Sequence, residues 1–142
     1  MALNFHNADH GFRCPNRKLL RNWVYLMVEK HKKEVGALSV IFCSDSYLLK
    51  MNQEHLQHDY YTDIITFDYG SGDVLSGDLF ISVDRVRDNA KQHKQLFYNE
   101  LTRVIAHGHL HLIGFKDKDK NEQLEMRAQE AIWISEFQKH KP

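Results

Sequence analysis

Residues 95–114 read QLFYNELTRVIAHGHLHLIG, and this stretch decides the architecture. Leu101, Val104, Ile105, Leu110 and Leu112 recur at helical spacing but do not fall on one narrow stripe, so the helix they form should be buried on more than one side and central to the fold. Upstream, residues 84–93 read as a polar helix. DIITF (63–67) and DLFISV (78–83) read as two strands that pair as neighbours, separated by the loop GSGDVLSG. Further back, ALSVIFC (37–43) is a short apolar run rich in strand formers, and Ser44 offers an N-cap to a helix carrying Leu48, Leu49 and Met51. Leu19, Leu20, Trp23, Val24 and Met27 predict a first helix, with Pro15 in its first turn and an end near Gly36, preceded by a strand over 3–6. Downstream, Asp119 followed by Glu122 resembles a capping box that opens a last helix with Leu124, Met126, Ala128, Ala131, Ile132, Ile134 and Phe137. Strands interspersed with helices predict an α/β layer structure, a small sheet covered by helices.

At 142 residues with 42% hydrophobic content, the chain suits one domain over 1–142 and is short for two. It contains no linker, low-complexity tract or repeat. Nineteen basic and nineteen acidic residues cancel, so no overall basic footprint recruits nucleic acid and a polyanion would need a local patch. Cys14 and Cys43 match neither a disulfide framework nor a Cys-x-x-Cys element, which predicts two reduced thiols and a cytoplasmic location. MALNFHNADHGF (1–12) lacks the charged and apolar regions of an export signal, and no apolar run is long enough to span a membrane.

His107 and His111, four apart, lie about 40° apart around a helix and one turn above each other, which is how a helix offers two imidazoles to one metal. His109 points nearly the opposite way and reads as a surface or packing residue. Gly114 can end the helix and turn the chain back, so that Asp117 completes the set. Three protein ligands with an open position for water are the layout of a catalytic zinc, whereas structural zinc sites are closed by four. Two alternatives stand beside this reading: two histidines that merely share hydrogen bonds, and a solvated Asp117 among Lys116, Lys118 and Lys120. A zinc peptidase would need His-Glu-x-x-His, with the Glu as base; Gly108 occupies that position. Glu100 could accept from an imidazole N–H or form a salt bridge on the helix, and Glu122 and Glu125 are explained by capping and the helix dipole. Arg13, Arg17, Lys18 and Arg21, with Lys30, Lys32 and Lys33, are the best local basic patch.

HGHLHLIGFKDKDKNEQLEMRAQE (107–130) resembles the signature H-G-x-L-H-L-x-G-[YF]-D-H, followed by acidic residues, of the YbeY family of bacterial rRNA maturation endoribonucleases. MNQEHLQHDYYTDIITF (51–67) is similar to the family's L-N-x-x-Y-R-x-x-D-x-P-T-D-V-L-S-F, and SGDLFIS (76–82) to its L-G-D-I-x-I-S. The resemblance implies a small mixed sheet of about four strands covered by about five helices, with a metal cleft at the end of a central helix. It implies a metal-dependent endoribonuclease of ribosome maturation, acting on ribosomal RNA precursors and ribosomal particles through a water bound to one Zn2+ on His107, His111 and Asp117. Thr62, Asp63 and Thr66 match the family strand near the cleft and are candidates for substrate contact. Two positions depart from the pattern. The third histidine falls on Asp117, giving a two-His, one-carboxylate set that also suits other first-row metals. The family's arginine falls on Leu56, which removes a phosphate-binding cation and leaves open a second role, a ribosome-assembly binding protein with a structural or vestigial metal.

Overall fold

The structure, a computed structural model, describes residues 2–55 and 62–140; Leu56 lies outside the described residues. The elements follow in the order β1 (Ala2–Asn7), α1 (Arg17–Lys30), β2 (Glu34–Cys43), α2 (Asp45–His55), β3 (Ile64–Asp68), β4 (Val74–Ser82), α3 (Val83–Gln92), α4 (Phe97–Ile113) and α5 (Lys120–His140). The four strands form one mixed sheet in the order β1-β2-β4-β3. β1, β2 and β4 run parallel and β3 pairs antiparallel with β4, Thr66 opposite Leu79, as expected for neighbours. β3 is thus an edge strand, and α4 lies over β3 and β4.

Side-chain alternation sends the two faces of the sheet into two cores. Leu38, Val40, Phe42, Leu79 and Ile81 are fully buried with Leu20, Val24 and Met27 of α1, Leu101, Ile105 and Leu110 of α4, and Phe137 of α5. Burying each such side chain contributes roughly 1.5–3 kcal/mol. A smaller cluster of Cys43, Leu48 and Ile65, with Met51, Phe67 and Phe80 packed against it, fills the opposite face beneath α2. The two thiols are free; burial pushes each up to about 12, so neither is a reactive thiolate.

Several boundaries differ from the sequence reading, each for a local reason. Helix α1 begins at Arg17, after Pro15, because Asn16 adopts a left-handed conformation (φ 58°) and its carbonyl accepts the first helical bond from Leu20 N–H at 2.9 Å. It ends at Lys30 rather than near Gly36, because Lys32 (φ 60°) turns the chain and Glu34 N–H donates to Asp73 C=O at 2.8 Å, entering the sheet. β4 starts at Val74, inside the stretch read as a loop, since the ladders to β2 and β3 continue through Gly77. Gly77 is a close-approach glycine, where a Cβ would meet Phe67 O and the Leu112 side chain. On α5, Met126, Trp133 and Phe137 are buried, whereas Leu124 and Ile132 are 67% and 54% exposed; apolar residues on both sides of this helix hide its core face from periodicity.

Ser44 caps α2, its Oγ accepting from Tyr47 N–H at 3.1 Å. The capping box of α5 is reciprocal: Glu122 N–H donates to Asp119 Oδ1 at 2.7 Å, and Asp119 N–H donates to Glu122 Oε1 at 3.2 Å. No helix among the described residues is long and apolar enough to cross a membrane.

Candidate metal centre

Helix α4 carries the first two candidate ligands on the face that meets the sheet edge. Gly108 lets the helix come that close, because a Cβ there would run into Leu79 and Ile64. The same packing accounts for the missing glutamate of a zinc peptidase, since a Glu at 108 would have to displace the core. Gly114 (φ 130°) then ends the helix in a Schellman turn, with Phe115 N–H donating to Leu110 C=O at 3.0 Å and Gly114 N–H to His111 C=O at 3.1 Å. The chain reverses over the helix end. Lys118 N–H donates to Glu122 Oε1 at 3.0 Å and Gln123 Nε2 to the Asp117 carbonyl at 3.1 Å, so α5 pins the segment that carries Asp117.

Three ligand atoms converge. His107 Nε2 and His111 Nε2 are 3.1 Å apart, and Asp117 Oδ2 lies 3.4 Å from the first and 3.3 Å from the second. Two ligands of a tetrahedral zinc, each about 2.05 Å from it, stand about 3.3 Å apart, so the near-equilateral triangle has the dimensions of three corners of one coordination sphere. The triangle lines a cleft of roughly 650 Å3 whose far wall is β3 and whose near wall is α4. The donor set fits a divalent first-row metal: two imidazoles and a carboxylate converging on one point with an open side.

Behind His107 stands a residue absent from the sequence reading. Glu130 Oε2 lies 2.7 Å from His107 Nδ1, so that nitrogen donates to the carboxylate and Nε2 keeps its lone pair towards Asp117 and His111. Burial works against the charge on Glu130, but the hydrogen bond from His107 and the nearby Arg103 more than offset it and hold the carboxyl below the usual carboxylate range. Arg103 Nη1 donates to Glu130 Oε1 at 3.2 Å, while its Nε and Nη2 grip Glu100 at 3.1 and 2.8 Å, and Asp63 lies 3.7 Å away. Of its two readings Glu100 takes the salt bridge, but in a buried place rather than on the helix surface. The signal for Glu130 lay in the Met126, Glu130, Trp133, Phe137 stripe, an acid in a core face, which requires a partner.

Thr62, Asp63 and Thr66 all line the cleft, as their place on the sheet-edge segment suggested. Burial raises the Asp63 carboxyl against the opposing pull of Arg103. His109 points into the interior, fully buried, with Nδ1–H donating to Ile105 C=O at 2.8 Å, and takes no part in the triad. The basic residues of α1 are not brought to the cleft. Arg21 is used structurally, donating to Leu3 C=O at 2.8 Å with its guanidinium over the Phe5 ring, and Lys33 faces Asp73 at 3.7 Å.

A mixed sheet with an open-sided His-His-Asp triangle at its edge is the layout of a metal-dependent hydrolase. The sequence model of the endoribonuclease YbeY family matches residues 4–138. The chain is 47% identical over 132 residues to the endoribonuclease YbeY of Cytophaga hutchinsonii, covering 92% of each, and 49% identical over 135 residues to that of Christiangramia forsetii, covering 95% of this chain and 94% of the relative. A solution structure from Thermotoga maritima matches 95% of this chain and 88% of its own, with a TM-score of 0.68 at 25% identity. The chain belongs to the endoribonuclease YbeY family.

Proposed function

We propose that this chain is an endoribonuclease that hydrolyses phosphodiester bonds of ribosomal RNA precursors, at a single divalent metal held by His107, His111 and Asp117. The observation that carries the reading is the ligand triangle of 3.1, 3.3 and 3.4 Å at the floor of an open cleft, in a chain of this family. A metal bound there supplies a Lewis acid for a phosphoryl oxygen and an acidified water as nucleophile. The chain's own part is to hold and orient. Glu130 fixes the His107 tautomer, Arg103 fixes Glu130, and Gly114 brings Asp117 back over the helix end. On β3 and just before it, the hydroxyls of Thr66 and Thr62 offer hydrogen bonds to a strand lying in the cleft. Two imidazoles and a carboxylate suit zinc and also other first-row divalent metals, and ribosomal particles are where such a substrate would be met. A binding-only role in ribosome assembly is not favoured, because family and triangle agree on a hydrolase.

The test pairs elemental analysis with cleavage of a ribosomal RNA fragment. Wild type should carry about one equivalent of metal and cut the RNA, while His111→Ala and Asp117→Ala should lose both properties with their circular dichroism unchanged. Cleavage retained in metal-free His111→Ala would overturn the reading.

A further inference from the structure

Gln123, Arg127 and Glu130 are spaced four and three apart on α5, so they leave the helix on one side as a single stripe. The outer two brace the triad: Gln123 Nε2 donates to the Asp117 carbonyl at 3.1 Å, and Glu130 accepts from His107 Nδ1 at 2.7 Å. Arg127, between them, is therefore delivered to the α5 side of the triad. There it lines a second hollow of roughly 290 Å3 that shares Arg103, His107 and Asp117 with the first. The cleft thus continues past the triad, from the β3 wall on one side to α5 on the other.

The charges along this path are uneven. The β3 wall presents Asp63 and Asp68. Arg103 is already gripped by Glu100 and Glu130, with Asp63 close by. Arg127 is exposed, and its guanidinium has no hydrogen-bond or ion-pair partner among the described residues. A polyanion laid through both hollows would meet repulsion along β3, the metal ligands at the centre, and one uncommitted planar cation at Arg127, suited to bidentate phosphate binding.

We propose that Arg127 binds the RNA phosphate next to the one at the triad, on the α5 side, and so seats the strand for cleavage. This rests on the RNA-cleaving reading above. A flanking phosphate keeps its charge throughout the reaction, so its binding is equal in ground and transition states and appears in KM rather than in kcat.

In the metal-loaded chain, Arg127→Ala should raise KM for a short single-stranded RNA about tenfold, the loss of one charge-assisted pair, with kcat within about twofold of wild type. The dependence of log affinity on log salt, followed by fluorescence anisotropy of a slowly cut phosphorothioate RNA, should become shallower by about 0.7. Arg127→Lys should restore that slope, keeping the charge while losing the fork. Lys91→Ala, which removes an exposed cation of α3 outside both hollows, should change none of these. Metal content should stay equal in every variant. Unchanged KM and slope in Arg127→Ala, an equal effect of Lys91→Ala, or a fall in kcat at constant KM would each overturn the proposal. Failure of the RNA-cleaving reading looks different: wild type at full metal load would leave RNA intact, and the anisotropy arm would still report on Arg127.

Discussion

Glu130 acts on the triad through His107. A ring nitrogen bound to a carboxylate at 2.7 Å is fixed in tautomer and orientation and made more basic at the other nitrogen. Glu130→Gln keeps the shape and removes the charge, so zinc affinity should fall about 10–100-fold in a chelator competition, with the fold retained. Equal affinities would reduce Glu130 to a partner for Arg103. The neighbouring histidines show how far environment divides like side chains: His107 and His111 face an open cleft, while His109, between them in sequence, is sealed in the core.

Helix α4 does two jobs that set opposite demands on its residues. As the central helix it must pack against the sheet, which is why Gly108 sits against Leu79 and Ile64. As the carrier of two candidate ligands it must stop one residue short of Gly114, so that the next segment can fold back. Gly114 has φ 130°, a conformation that side chains rarely adopt. Gly114→Ala should cost on the order of 1–2 kcal/mol in stability and also weaken metal binding, because strain at the turn moves the segment that carries Asp117. Urea unfolding and metal titration on the same variant check both halves; a stability loss with metal affinity unchanged would show that the capping box of α5 alone places Asp117.

Burial of one titratable group links pH to the stability of the entire fold. Burial, opposed in part by the bond to Ile105, lowers His109 from its ordinary 6.5 to about 4. The folded chain therefore binds this proton more weakly than the unfolded chain does. The contribution is fully present above about pH 6.5 and is lost as the pH falls towards 4. Its size is about 3 kcal/mol, so His109→Leu should lose that much less stability than wild type between pH 7 and pH 4 in denaturant titrations. Identical pH profiles would show that His109 is not protonated on unfolding. The four strands form one sheet and its main core joins residues of α1, α4 and α5, so the loss would be cooperative rather than local.

Local rules in the sequence determined most of the elements and half of the candidate site. Helical spacing marked α4 as central, Ser44 and the Asp119–Glu122 pair marked two helix starts, and the four-residue spacing of His107 and His111 put two imidazoles on one side of a helix. Gly114 and Asp117 were readable because a helix end followed by a short return is also a local matter. The boundaries of α1 and β4 were not readable, since Glu34 and Gly77 are placed by hydrogen bonds to strands far along the chain. Nor was Glu130, which lies 23 residues from His107 and meets it only because α5 packs on α4. Arg127 gains its place by the same packing. Spacing along a chain dictates which side chains share a face, but which faces meet is decided by burial of the core between them, and that is settled only when the whole chain folds.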